Sequence, residues 1–208
     1  MSRRLRTVYD STNHYLVGCS GGWLLIDAGW PGRLPALRGA LKRVGCDLAE
    51  IASVMLTHCH PDHAGLTQEV KREAGARLLI HERQISALDD LRTFFAQRGG
   101  YEPIAVTEMD VVAAAGTGRA SLSRLGIAGD LIWTPGHSDD SVSLVLDDGA
   151  AFIGDLHLPA LADGASLEAA CANWRALLDR GLRLAYPGHG EPVSAEEIRL
   201  ALARAVEG

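Results

Sequence analysis

Apolar and polar residues follow two different rhythms along the chain, and the switches between them outline a series of strands and helices. Tyr15-Leu16-Val17 and Trp23-Leu24-Leu25-Ile26 are apolar runs on either side of the glycine-rich stretch Gly18–Gly22, which predicts a hairpin that ends at Asp27-Ala-Gly29. Leu34, Leu37, Ala40, Leu41 and Val44 recur at helical spacing and stop at Gly45, so a helix follows the hairpin. Ile51–Leu56 is a short apolar run that fits a buried strand and delivers the chain to Thr57-His-Cys-His-Pro-Asp-His63. Helical spacing returns over 64–74 and halts at Gly75; Arg77–Ile80 reads as a strand and 82 to 95 as a helix. This alternation predicts a partly parallel sheet.

The stretch Ala96–Gly129 has no clear period, with turn signals at Gly99-Gly100, Pro103 and Gly116-Thr-Gly118. Beyond it, Asp130–Trp133 reads as a strand leading into Thr134-Pro-Gly-His137. Ser141–Leu146 and Ala150–Ile153 flank Asp147-Asp-Gly149, a hairpin signal that delivers Gly154-Asp155. A helix is predicted over 167–180, a last strand over Arg183–Tyr186 and a loop at Pro187-Gly-His189-Gly. Ser194 and Glu197 form a capping box for a C-terminal helix.

At about 150 residues per domain, 208 residues correspond to a single domain, 1–208. Its 47% apolar and 22% charged residues exclude a disordered, collagen-like or coiled-coil chain. Twenty Lys and Arg against 26 Asp and Glu give a net charge of −6, with no basic cluster beyond the N-terminal arginines, so nucleic acid is not an expected partner. Those arginines are not followed by a signal-peptide core, and no apolar run approaches the roughly 18 residues needed to span a bilayer. The reading is a cytoplasmic protein with no membrane partner. Cys19, Cys46, Cys59 and Cys171 show no C-x-x-C pairing and are read as reduced thiols.

Charge and composition leave eight histidines to explain, and their placement changes the picture. His58, His60 and His63 fall in one loop at a predicted strand end, His137 in a second and His189 in a third; Asp62 and Asp155 hold equivalent positions. Imidazole and carboxylate together suit a divalent ion, zinc above all, with iron or manganese as alternatives. About seven ligands serve two ions when a carboxylate bridges them. Alternation through His58-Cys59-His60 sends the two imidazoles one way and Cys59 the other, so Cys59 is read as packing behind the site.

His58-Cys59-His60-Pro61-Asp62-His63 is the H-x-H-x-D-H signature of the metallo-β-lactamase-fold hydrolases, which this chain resembles from Asn13 to Val193. Thr134-Pro-Gly-His137, Gly154-Asp155, Pro187-Gly-His189-Gly, Asn13-His-Tyr-Leu16 and Leu25-Ile-Asp-Ala-Gly29 follow the family pattern in order. The resemblance implies an α/β fold, a four-layer αβ/βα sandwich of two mixed sheets with helices outside and the metals at one edge. It also implies that His58, His60 and His137 hold one ion, that Asp62, His63 and His189 hold the other, and that Asp155 bridges them. Two such ions about 4 Å apart bring the pKa of water to about 7, and Asp62 is the expected catalytic proton acceptor.

A bridging Asp155 points to the glyoxalase II-like branch rather than to the antibiotic-cleaving one. The expected reaction is hydrolysis of an ester, thioester or lactone of a small molecule. Two departures bear on the substrate: only 19 residues follow His189, where glutathione thioesterases carry a further helical domain, and Leu158 stands where the lactonases of this fold have a tyrosine. Persulfide dioxygenases share the fold with a single iron, so an iron oxidoreductase is the alternative reading. Asp27 is read either as orienting a metal-binding loop or as a turn former before Gly29. His157 is a candidate proton donor or substrate contact, or else a packing histidine; Ser138 is a candidate for the site's surroundings, in a Ser138–Ser141 segment that also reads as a turn. His81 is assigned to the rim and His14 to the opening hairpin. The segment 85–130, with Phe94, Phe95 and Tyr101, is the candidate pocket wall or lid, and a homodimer partner is left room to complete the pocket.

Overall fold

The computed structural model describes residues 3–162 and 164–207. Its first element is one the apolar pattern above does not contain. β1 (Arg4–Tyr9) turns at Asp10-Ser11 into β2 (Thr12–Cys19), the two joined in antiparallel register from Arg4 opposite Val17 to Tyr9 opposite Thr12. Both turn residues have positive φ, 48° and 66°, the two-residue geometry whose twist matches the strands. Leu5, Thr7 and Tyr9 of β1 turn toward the outer helix layer and Arg4 and Arg6 toward the other face, but polar Thr7 on the inward face and apolar Val8 on the outward face break the period-two pattern. Those arginines pair with Asp148 and Glu191 across the molecule.

β3 (Gly22–Ile26), α1 (Leu34–Arg43) and β4 (Ile51–Met55) follow the sequence expectation. The helix expected over 64–74 is instead two: α2 (Pro61–Ala64), one turn started by Pro61, and α3 (Thr67–Ala74), closed by Gly75 with φ 67°. The break gives His63 and Gly65 their own backbone direction. β5 (Arg77–His81) and α4 (Ala87–Phe95) come next, then two short elements in the stretch without period, β6 (Val111–Ala113) and α5 (Gly118–Ser123). The second half contains β7 (Gly129–Trp133), β8 (Val142–Leu146), β9 (Ala150–Gly154), α6 (Gly164–Asp179), β10 (Leu184–Pro187), β11 (Val193–Ser194) and α7 (Ala195–Glu207). The Arg183–Tyr186 strand is therefore not the last. β11 pairs antiparallel with β10, and the Ser194–Glu197 capping box starts α7 directly from it.

Two mixed sheets result, ordered β1-β2-β3-β4-β5-β6 and β11-β10-β9-β8-β7. β3, β4, β5 and β6 run parallel, as do β9 and β10; the remaining pairs are antiparallel. Val17, Leu24, Ile26, Met55 and Leu79 of the first sheet meet Leu131, Val142, Leu144 and Phe152 of the second in a shared core. The opposite faces are covered by helices: Leu37, Leu41 and Val70 pack on Leu25 and Val54, and Trp174, Leu177 and Ile198 pack on Ala151 and Ile153. The four-layer αβ/βα sandwich is thus the fold, each layer burying one apolar face.

Within the 85–130 segment, Phe95 and Tyr101 stack at 4.7 Å beside the apolar cluster of Leu56, Leu78 and Ile80, while Phe94 lies outside under the Arg98 guanidinium. Asp110 fastens this segment to the sheet. Its carboxylate accepts from the Leu78 amide at 2.7 Å, the Thr107 amide at 2.8 Å and the Lys71 ammonium at 2.7 Å. Burial raises the Asp110 pKa, but Lys71 and the two amides outweigh it and hold the carboxyl below its ordinary value.

Asp110→Ala strands a buried ammonium and two amides, so it should lower the unfolding free energy by about 3 kcal/mol in urea denaturation. A depressed carboxylate stabilises only while it is ionised in the folded state. The gap between wild type and Asp110→Ala should therefore persist above about pH 5 and shrink as pH falls below about 4, the ordinary unfolded-state value. A gap that stays constant in acid would contradict this role.

Candidate metal centre

Every side chain of the centre sits just past the end of a strand or at a helix start, where the two sheets meet. β4 ends at Met55 and leads to His58 and His60; Pro61 opens α2, which turns Asp62 and His63 back toward them. β7 leads to His137, β9 to Asp155 and β10 to His189. The seven residues come together in three groups whose donor atoms lie within 4.8 Å of one another: His58, His60 and His137; His58, His63 and Asp155; and Asp62, His63 and His189. The Asp155 carboxylate spans them, with Oδ1 3.4 Å from His63 Nε2 and Oδ2 3.7 Å and 3.5 Å from the Nε2 atoms of His137 and His189. Asp62 Oδ2 lies 3.1 Å from His189 Nε2.

The far nitrogens of these imidazoles fix which atoms point inward. Asp27 accepts from the Thr57 amide at 2.8 Å, the Thr57 hydroxyl at 2.7 Å and His63 Nδ1 at 2.8 Å. Because the Thr57 hydroxyl donates to Asp27, it accepts from His58 Nδ1 at 3.1 Å. His189 Nδ1 donates to the Ser11 carbonyl at 3.0 Å. Three imidazoles therefore present a bare Nε2 lone pair to the centre, the arrangement that outer partners impose on metal-binding histidines. His58 Nε2, His63 Nε2 and Asp155 Oδ1 are buried without any hydrogen-bond partner, and His60 Nδ1 faces His137 Nε2 at 2.9 Å. Orphaned buried acceptors of this kind are costly unless a cation satisfies them, so the donor set fits divalent metal.

The electrostatics agree. Burial drives the His58 pKa well below its ordinary value, and the neighbouring His63 reinforces it. Burial alone would lower His63 too, but Asp27 and Asp155 on either side outweigh it and push it up to about 10, so in the absence of a metal cation a proton takes the Nε2 position instead. Asp155 is raised by burial, yet contact with His63, His58 and His189 holds it well below the carboxylate range. Positive charge is favoured at the centre of this ring.

Asp27 itself is 1% exposed and has φ 59°, a left-handed conformation uncommon outside glycine. Its carbonyl accepts from His14 Nδ1 at 2.9 Å and its amide donates to the Met55 carbonyl, so the strained turn is pinned from both ends. This places Asp27 behind the ring, in contact with the Thr57 loop and His63, and keeps His14 within the opening hairpin. Ser138 closes a turn with Ser141 at 2.7 Å. His157 Nε2 lies 3.4 Å from His137 Nδ1, and its carbonyl accepts from Trp174 Nε1. Cys59 faces the core with Leu56 and Ile80. His81 is 3% exposed and caps the turn at Arg83, which removes it from the rim.

Three contributing side chains escape the sequence reading. Asp140 accepts from the Cys59 amide at 2.7 Å, which ties the loop between β7 and β8 to the one that carries His58 and His60. Asn13 donates to the Pro187 and Gly190 carbonyls at 2.9 and 2.8 Å, while the Tyr15 hydroxyl donates to the Pro187 carbonyl at 2.7 Å, so the N-terminal hairpin carries the His189 loop. Gly188 completes that loop. A Cβ there would come within 2.5 Å of Asp155 Oδ1 and His63 Cε1.

Residues 8–194 match the sequence model of the metallo-beta-lactamase superfamily, and the chain belongs to that superfamily, whose members are mostly metal-dependent hydrolases. An atrochrysone carboxyl ACP thioesterase from Aspergillus fumigatus is 28% identical over 188 residues, 87% of this chain and 51% of the relative. A beta-lactamase-like protein 2 homolog from Drosophila melanogaster is 27% identical over 192 residues, 88% of this chain and 60% of the relative. The chain thus spans about half the length of the curated relatives it matches. Among solved structures, the FEZ-1 metallo-beta-lactamase from Legionella gormanii superposes with TM-score 0.70 at 16% identity, over 98% of this chain and 90% of that one. The BLEG-1 B3 metallo-beta-lactamase gives 0.69 at 20% identity, over 94% and 95%. These likenesses concern the fold.

Asp27→Asn puts an NH2 group where an oxygen now accepts from His63 or Thr57. It should weaken divalent-metal binding roughly 10- to 100-fold, read by competition with a chromophoric chelator, with the melting temperature followed in parallel. Unchanged affinity in a folded variant would remove Asp27 from the orienting role.

Proposed function

We propose that the protein is a binuclear metal-dependent hydrolase that cleaves an ester, thioester or lactone of a small molecule. The observation that carries this reading is the ring of bare inward-facing nitrogens around one bridging carboxylate. His58, His60 and His137 would hold one divalent ion, zinc in the first instance; Asp62, His63 and His189 would hold the second; Asp155, within 3.4 to 3.7 Å of His63, His137 and His189, would serve both. The position of Asp155 between the groups supports the glyoxalase II-like branch. When bound, such ions acidify water to near neutrality and polarise the carbonyl under attack.

The chain's own residues do the rest. Asp62 lies at the edge of the ring and is partly open to solvent, so its carboxylate can accept the proton released as water adds to the carbonyl carbon. Asp27 and Thr57 hold His58 and His63 in the tautomers that keep Nε2 free. Collapse of the tetrahedral adduct expels the alcohol or thiol, which takes up the proton held by Asp62. The relative named as an ACP thioesterase supports a thioester among the candidate substrates.

Asp62→Asn keeps the size of the side chain and removes its basicity. Loss of at least about 100-fold in kcat with chromogenic esters and thioesters is expected, the usual contribution of a general base. Dialysis against a chelator should abolish activity in wild type, and added zinc should restore it. Full activity in the metal-depleted protein would overturn the proposal, as would one bound iron with oxygen uptake.

A further inference from the structure

The seven metal-centre residues do not account for the cleft that opens beside them. A cavity of about 330 Å³ starts at His137, Asp155, His157 and His189 and runs outward over Ile153, Leu156, Leu158, Leu161, Trp174 and Val193. Apart from Glu191, whose carboxylate is paired with Arg6, the side chains that line it beyond the metal-centre residues and His157 are aliphatic or aromatic. Leu161 is 74% exposed, an unusual state for a leucine that forms part of a 3-10 turn fixed by Pro159. Trp174 backs the cleft as a fully buried residue, and its indole N–H donates to the His157 carbonyl, so it adds no unpaired polar group to the lining. Leu158 adds a further aliphatic side chain to the lining.

A second cleft opens on the His60 side of the ring and differs in chemistry, with Arg83, Ser86, Asp90, Ser138 and Asp139 among its lining residues. A substrate whose carbonyl sits at the ring has two ends to place. Apolar surface belongs in the Leu158–Trp174 cleft and a polar leaving group in the Arg83–Ser138 cleft.

We infer that the substrate carries an uncharged aliphatic or aryl acyl group of medium length, bound in the cleft of Leu156, Leu158, Leu161 and Trp174, with a polar leaving group directed toward Arg83 and Ser138. This rests on the hydrolase reading only for the reaction itself; the apolar cleft binds such a chain whether or not it is cleaved. Burial of each added methylene strengthens binding or transition-state stabilisation about fourfold until the cleft is full.

Two measurements test this on the full-length protein. Calorimetric titration with 2-alkanones from hexyl to dodecyl should show affinity rising about fourfold per methylene and then levelling, with the rise lost in Leu161→Glu and in Leu158→Gln. Thermal melting of both variants checks that they fold. With zinc-loaded protein, kcat/KM for p-nitrophenyl esters should climb from acetyl to octanoyl with the same slope, whereas thioesters that differ only in an alkyl leaving group should show none. Flat alkanone binding, or a slope that follows the leaving group and not the acyl chain, would overturn the inference. Chain-dependent alkanone binding without turnover of any ester or thioester would uphold the cleft assignment and count against the hydrolase reading alone.

Discussion

Three carboxylates and five imidazoles converge on one small volume where the two sheets meet, and that convergence is stable only around positive charge. His58 and His63 are buried with bare nitrogens, Asp155 is buried with an unpartnered oxygen, and His60 faces His137 lone pair toward lone pair or across a single shared proton. Burying such groups without a partner costs several kcal/mol in total, each contributing about 1–3 kcal/mol. Much of the surrounding structure holds them there against that cost. Asp27 sits in a left-handed conformation to reach Thr57 and His63 at once; Asp140 reaches from another loop to the Cys59 amide; Asn13 and Tyr15 hold the Pro187–Gly190 loop from the opposite end of the chain.

This dependence explains the architecture at the seam. The ligands come from four segments, each released at the end of a strand that is locked on both faces by apolar packing. The sheets supply rigidity, and the short loops supply direction. Gly188 and Gly154 mark how closely those loops approach: a Cβ on Gly154 would meet the Thr57 side chain at 2.6 Å, and one on Gly188 would meet Asp155 and His63 at 2.5 Å. The two clefts then extend from the same ring, one apolar and one polar.

Much of this was legible in the sequence wherever function and local pattern coincide. Ile51–Met55 and Ala150–Gly154 are short, largely apolar strands, and the ligands follow within three residues, so pattern and motif point to the same positions. Asp147-Asp-Gly149 names its own hairpin. β1 was not legible because polar Thr7 stands on its inward face and apolar Val8 on its outward face, which breaks the alternation that Arg4, Leu5 and Arg6 begin. β6 and α5 are three and six residues long, too short for a period; β6 follows Asp110, which is tied to distant Lys71 and Leu78, and α5 packs on β7. Asp140 and Asn13 escaped for a related reason: each acts on backbone 81 or more residues away, and no local spacing encodes that contact. His81 shows the converse, a histidine at a strand end that serves only as a cap.

The proposed ring has places for two cations. Anomalous diffraction at the metal edges of crystals of the purified protein, paired with elemental analysis of the same preparation, addresses it directly. Two ions per chain are expected, one among His58, His60 and His137, the other among Asp62, His63 and His189, with Asp155 in contact with both. A single ion at full metal saturation, or ions bound away from these residues, would contradict it.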